Sequence, residues 1–244
     1  MTVRRATKPP RPTRATRPRP RWAVAAAIAG LATSAVAAWA YRDYRLWRAL
    51  GVGGLPPNLR GWLRVTSMRL QAGDPFAVQS GHPAHPQLEN LPERSGPRPK
   101  VAPHPVPHRV LDQHSPHELI DQLAAMFDEF AAMKSPALEY RTSGWEKHNK
   151  ALFASTPATP HDPAQPTSGE LGHFHPSDGS LHVILSPGDA YLVISNQWGE
   201  LHPLAGRSLN LPPTYTLLYP ARNQNELAAI RTIVTAAIDN MTGT

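Results

Sequence analysis

The feature that most limits what this chain can fold into is the placement of its prolines. There are 28 in 244 residues, clustered in three stretches. Proline fixes φ and removes a backbone donor, so regular elements must be built between those stretches. The first stretch is an N-terminal tail. Residues 1–21 carry eight Arg/Lys and no acid, leaving 17 of the 25 basic residues against all 18 acidic ones, a balance of −1. The formal charge of +7 therefore resides in the tail. A tail of Arg and Pro buries no apolar surface and is expected to be disordered. The remainder has no basic excess with which to grip a polyanion, so nucleic acid is not an expected partner. The chain has no cysteine, which excludes disulfides and thiolate metal sites but leaves the compartment open.

Residues 22–41, WAVAAAIAGLATSAVAAWAY, contain no charge. About 20 helical residues span a bilayer core of roughly 30 Å, and Trp22, Trp39 and Tyr41 sit at the ends, where the headgroup layer suits their rings. The leading reading is a single-pass anchor. A cleaved signal peptide, with Ala38-Trp39-Ala40 as its small-x-small site, and an Arg-rich mitochondrial presequence are the competing ones. For an anchor, the basic tail puts the N-terminus in the cytosol and the following domain on the lumenal or outer side of an ER-like endomembrane.

Residues 42–70 mix Arg with Trp, Leu, Val and Met; an interfacial helix on the bilayer and a helix packed on the domain fit equally well. Residues 71–113 hold nine prolines and four histidines, His82, His85, His104 and His108. This reads as a linker or wrapping arm whose histidines are solvated, because no regular element fixes their geometry.

The folded domain is expected over residues 114–244. Ser115-Pro116-His117-Glu118 reads as a capping box, followed by Leu119, Ile120, Leu123, Met126, Phe127, Phe130 and Met133 at helical spacing. A short strand is expected near Ala137–Thr142 and a Pro/Thr/Ser loop over 154–169. Ser186-Pro187-Gly188-Asp189 caps a second helix, Thr214–Tyr219 reads as a strand, and Asn223-Gln224-Asn225-Glu226 caps a final helix. The order implies an α+β fold, a small mixed or antiparallel sheet covered by helices, behind one transmembrane helix and a Pro-rich arm.

The segment Glu170–Leu185, ELGHFHPSDGSLHVIL, is the most informative. Pro176-Ser177-Asp178-Gly179 is strong turn chemistry. With those four residues as the loop, His175 pairs with Ser180, Phe174 with Leu181, and His173 with His182. Alternation then puts His173, His175, Ser180 and His182 on one face, with Phe174, Leu181, Val183 and Leu185 on the other. Three imidazoles on one strand pair support three readings: metal ligation, proton chemistry near neutral pH, or hydrogen-bonded packing. Weaker candidates are Trp198 and His202 in the turn WGELHPLAG, Arg222 before a helix N-terminus, and His148 in WEKH.

Taken together, ELGHFHPSDGSLHV, WGELHPLAG, PPTYTLLYPARNQNEL and WEKHNKALF resemble the fungal luciferase-like domain family. So do Arg42-Asp43-Tyr44 after the apolar segment, Asn58-x-Arg60-Gly61, and Gly96-Pro97-Arg98-Pro99, and the likeness covers about residues 41–241. The resemblance implies a membrane-associated oxidoreductase that adds O2 to a hydroxylated styryl-pyrone, 3-hydroxyhispidin. The peroxide intermediate then loses CO2 and leaves an excited product. It implies chemistry without a flavin cofactor, O2 serving as co-substrate, because a deprotonated electron-rich enol reacts with O2 itself, and it favours the base reading of the histidines over metal ligation, which stays open. The protein must then supply a base, anion stabilisation and a dry pocket. His173, His175 and His182 become the base and its partners; His202, Trp198, Arg222 and Ser180 become the substrate contacts. Two rival readings remain: a non-catalytic small-molecule or lipid-binding module at a membrane, and a His-metal hydrolase or oxygenase.

Overall fold

Residues 21–134, 137–155 and 169–243 are described by the computed structural model. The basic tail before Arg21 and most of the expected loop at 154–169 lie outside them. The chain divides into two units, Met1–Leu46 and Trp47–Thr244.

The first unit is helical throughout its described part. It forms the greater part of α1, Arg21–Ala49, with Trp22, Ile28, Leu31, Val36, Trp39 and Tyr41 all exposed. No helix among the described residues is long and apolar enough to cross a membrane, so the expected single-pass anchor, and the orientation built on it, are not supported. The physical reason is composition: ten of residues 22–41 are alanine, and a single methyl contributes far less transfer free energy than a Leu or Ile side chain.

The second unit begins with α2, Leu59–Met68. Asn58 caps it, its side chain accepting from the Gly61 N–H, and Trp62, Val65 and Met68 are buried. Of the two readings for this region, the helix packed on the domain holds. Downstream, α3 (His117–Met133), α4 (Pro187–Ser195) and α5 (Gln224–Thr242) accompany six strands: β1 Leu138–Thr142, β2 Lys150–Ala154, β3 Glu170–Phe174, β4 Leu181–Ile184, β5 Gly199–Leu201 and β6 Tyr215–Leu218. The strands form one antiparallel sheet in the order β1-β2-β3-β4-β6-β5. The α+β class is as expected, with a fully antiparallel sheet.

The caps of α4 and α5 are as read from the sequence: Ser186 Oγ accepts from Asp189 N–H, and Asn223 Oδ1 from Glu226 N–H. At α3 the reading fails. Pro116 is the N-cap with no side-chain bond, because Ser115 Oγ donates instead to the Ala221 carbonyl at 2.7 Å. Its apolar face nevertheless buries Leu119, Leu123, Met126, Phe127 and Phe130, each worth about 1.5–3 kcal/mol relative to exposure. Phe127 meets Phe174 of β3, ring centroids 5.3 Å apart, so the helices cover the sheet face that carries Phe174.

The opposite face is closed by the Pro-rich segment, which is an arm and not a loose linker. It is held by hydrogen bonds to main chain and side chains: Arg94 N–H to Asn196 O, Arg94 Nη2 to Pro220 O, Arg98 Nη2 to Ile194 O, and Trp198 Nε1 to Pro92 O. Proline-rich backbone has few donors of its own, so side chains and loop carbonyls secure it. The expectation that its histidines are solvated is wrong for His104 and His108, which are 1% and 3% exposed.

Candidate active site

The hairpin sets the site. β3 and β4 pair His173 with His182 and Phe174 with Leu181, and His175 N–H reaches Ser180 O at 2.8 Å. Gly179, at φ 80°, supplies the left-handed turn position that an L side chain resists. The imidazoles therefore share the face opposite α3, as alternation requires.

An irregularity on β3 adds a residue that alternation alone would place elsewhere. Leu152 pairs with Gly172 but Phe153 with Glu170, so Leu171 is bulged out. The extra residue inverts the parity upstream, which brings Glu170 onto the face of His173. Glu170 is fully buried. Its Oε1 accepts from His173 Nδ1 at 2.9 Å and from Ser143 Oγ at 2.7 Å; its Oε2 accepts from Gly144 N–H at 2.7 Å. With Nδ1 carrying the proton for Glu170, His173 Nε2 is the bare nitrogen, and it has no hydrogen-bond partner among the described residues.

The other imidazoles are differently engaged. His175 Nε2 accepts from Arg109 Nη1 at 2.8 Å, and its Nδ1 donates to Ser180 Oγ at 2.8 Å, which in turn donates to Asp178 Oδ1. Both of its nitrogens are occupied, so it holds Arg109. The arginine also donates to Glu146 and to the His108 carbonyl, while its Nε has no partner among the described residues. His202 Nδ1 accepts from Leu204 N–H at 3.0 Å, and its ring also bonds the Pro105 backbone. His182 Nε2 meets His108 Nδ1 at 3.2 Å, and its Nδ1 has no partner among the described residues.

These groups border a cavity of about 270 Å³ lined by Arg109, Glu146, His108, His173, His182 and His202, among others. Trp145 and Tyr215, rings 4.6 Å apart, supply aromatic wall, and Tyr215 stacks on His182 at 4.8 Å and 10°. Gly53, Gly54 and Leu55, together with Pro105–Pro107 of the arm, form another part of the lining, and Arg64 and Lys147 add basic groups. Burial, followed by neighbouring positive groups, holds His175 and His182 well below the usual imidazole range; burial likewise depresses His202. Burial and then the carboxylates Glu170 and Glu146 push the Tyr215 phenol well above its usual value. Burial alone raises Glu146, but His173 and Arg109 outweigh it and leave that carboxyl below the usual range. Burial thus disfavours the charged form of His175, His182 and His202, beside the Arg109–Glu146 ion pair.

Of the residues singled out in the sequence, His173, His182 and His202 line the cavity. His175 and Ser180 stand behind it as supports. Trp198 and Arg222 are elsewhere: Trp198 is buried under the arm on the Pro92 carbonyl, and Arg222 pairs with Glu226 and donates to Ser95 O. Both hold the arm. Glu170, His108, Arg109, Glu146 and Tyr215 were not singled out.

Two groups, His108/His182/His202 and His173/His175/His182, bring three ring nitrogens within 4.8 Å of one another. Each group contains an imidazole with both ring nitrogens bonded outside the group, His202 in the first and His175 in the second. A ligating nitrogen must offer a free lone pair, and both nitrogens of His108, His175 and His202 are already bonded. His175 additionally faces the Arg109 cation.

The site is a carboxylate-backed imidazole at a cavity walled in part by aromatic rings. Residues 168–237 match the Luciferase domain family. Similarity to curated proteins extends much further. The chain is 32% identical to the luciferase of Armillaria gallica over 90% of its own length and 88% of that protein's. It is 30% identical to that of Armillaria mellea over the same shares, and 32% identical to that of Neonothopanus nambi over 82% of this chain and 80% of that one. The chain belongs to the fungal luciferase family. No solved structure matches it significantly.

Proposed function

We propose that this protein is an oxygenase of luciferase type that adds O2 to an enolic, hydroxypyrone-like small molecule, with His173 as the base. The observation that carries this reading is the His173–Glu170 pair. The imidazole is oriented by a buried carboxylate, its ring lines the cavity, and its other nitrogen has no hydrogen-bond partner among the described residues. This is the arrangement a general base needs. His173 Nε2 takes the enol proton, and Glu170 stabilises the imidazolium formed. The enolate carbon supplies the electron pair for the new C–O bond to O2, which is reduced to the peroxide level. The imidazolium returns its proton to the terminal peroxide oxygen. Arg109, which lines the same cavity and keeps its Nε–H without a partner among the described residues, stabilises the oxyanion, and the Trp145 and Tyr215 rings supply apolar wall. His182 is a second acceptor beside the base; His202 is wall.

A binding module that performs no chemistry has no need of a buried carboxylate behind a bare imidazole, which costs desolvation. The test is to mix the full chain with 3-hydroxyhispidin in air while recording O2 uptake and photons together. O2 uptake that is lost in His173→Asn supports the reading, and photons in the same trace identify luciferase output. A folded protein that consumes no O2 with this pyrone or its enolic analogues refutes it.

A further inference from the structure

Glu200 lies outside the cavity, yet it ends a hydrogen-bonded chain that begins inside it. β5, β6 and β4 set Glu200 opposite Leu217 and Leu217 opposite His182, so the three share one face in a row. His108 from the arm spans the row. Its Nε2 lies 3.3 Å from Glu200 Oε1 and its Nδ1 3.2 Å from His182 Nε2. The other oxygen of Glu200 accepts from the Tyr219 hydroxyl at 2.8 Å. All four side chains are buried.

A carboxylate can only accept, and an uncharged imidazole has one donor and one acceptor nitrogen. Glu200 therefore requires the His108 proton on Nε2, which leaves His108 Nδ1 as acceptor. His182 must then carry its proton on Nε2, and its Nδ1 is left bare. That nitrogen has no partner among the described residues, and the ring lines the cavity.

We propose that Glu200 is a positioning residue. Acting through His108 of the Pro-rich arm, it fixes His182 as the Nε2–H tautomer and so presents a second bare imidazole nitrogen beside that of His173. The chemical consequence is direct: the two cavity-lining rings carry two bare acceptor nitrogens where the opposite tautomer would give one acceptor and one donor. The arm is then part of the active-site chemistry as well as its cover. The role in turnover rests on the oxygenase reading; the tautomer does not.

The test is nitrogen-15 NMR of ligand-free, imidazole-labelled protein, which distinguishes protonated from bare ring nitrogens. In the wild type, His182 should show a bare Nδ1 and a protonated Nε2. Tyr219→Phe keeps the carboxylate and should leave that pattern unchanged. Glu200→Gln introduces an amide N–H that can donate to His108 Nε2, so a population of His182 with the proton on Nδ1 should appear. Oxygen uptake should fall about 10- to 100-fold with it, the range usual for lost supports of this kind. A wild-type His182 protonated on Nδ1, a doubly protonated His108, or a Glu200→Gln spectrum identical to wild type overturns the proposal. Because the spectra need no substrate, they stand or fall independently of whether the pyrone is turned over.

Discussion

Replacing Glu170 by Gln changes one atom at the base's support, and the structure sets what it should cost. Glu170 accepts from Ser143 Oγ and His173 Nδ1 on Oε1 and from the Gly144 N–H on Oε2. A glutamine offers one acceptor oxygen and one donor group. With its oxygen in the place of Oε1 it keeps Ser143 and His173, but its NH2 then confronts the Gly144 N–H. The flipped orientation confronts two donors and is worse. The better orientation leaves the part-buried Gly144 N–H without its acceptor, up to about 1–3 kcal/mol, and weakens two charge-assisted bonds by roughly half a kcal/mol each. The total is up to about 2–4 kcal/mol, or a fall in Tm of up to about 5–15 °C for a unit of this size. Because the His173 tautomer is retained, Nε2 stays bare but the imidazolium has lost its counter-charge. General-base assistance is worth about 10²–10⁴-fold, and a loss near 10²-fold in oxygen uptake is expected. Thermal unfolding and O2-electrode rates on the same preparation provide both readouts. A folded Glu170→Gln protein consuming oxygen at the wild-type rate would show that the Glu170–His173 pair is structural and that the base has been misplaced.

Other consequences follow from the same geometry. His175, His182 and His202 have folded pKa values depressed by burial, so below about pH 6.5 the unfolded chain binds more protons than the folded one. Their contribution is full above that pH and is lost as pH falls toward the folded values, each costing up to about 1.4 kcal/mol per pH unit. Denaturant melts between pH 7.5 and 5 should show this slope, and a flat profile contradicts it. Arg222→Ala removes the pair with Glu226 and the bond to Ser95 O; it should lower Tm while leaving KM unchanged, and a raised KM would return Arg222 to the substrate site. Exhaustive chelation should leave both Tm and oxygen uptake unchanged, since three of the clustered histidines have both ring nitrogens bonded. A loss restored by a divalent ion contradicts that account.

Much of the hairpin was legible because Pro176–Gly179 leaves few ways to turn and alternation does the rest. The caps of α4 and α5 were equally plain, each with an oxygen-bearing side chain three residues before its partner N–H. Glu170 was not legible as a partner of His173: in a regular strand i and i+3 lie on opposite faces, and nothing in ELGHF announces the bulge at Leu171. A strand with a glycine next to the shift, Gly172, is the one available hint. His108 and Arg109 were missed for another reason. They lie in a segment with no periodicity, where position is fixed by contacts distant in sequence, such as Glu200 92 residues away. β2 was missed because four of its five residues are buried, so it lacks the alternation that marks a half-exposed strand. The membrane anchor was over-read from length and absence of charge, two properties that an alanine-rich helix satisfies without much hydropathy.

The central claim is that His173 takes a proton from the enol before oxygen adds, and it can be observed with oxygen left out. Mixing the protein with 3-hydroxyhispidin under anaerobic conditions, at a pH where the free pyrone is protonated, should produce the absorbance of the bound enolate. In His173→Asn the pyrone should bind, by equilibrium dialysis, without that absorbance. Enolate formation of equal amplitude in wild type and variant would contradict the account and move the base to another group.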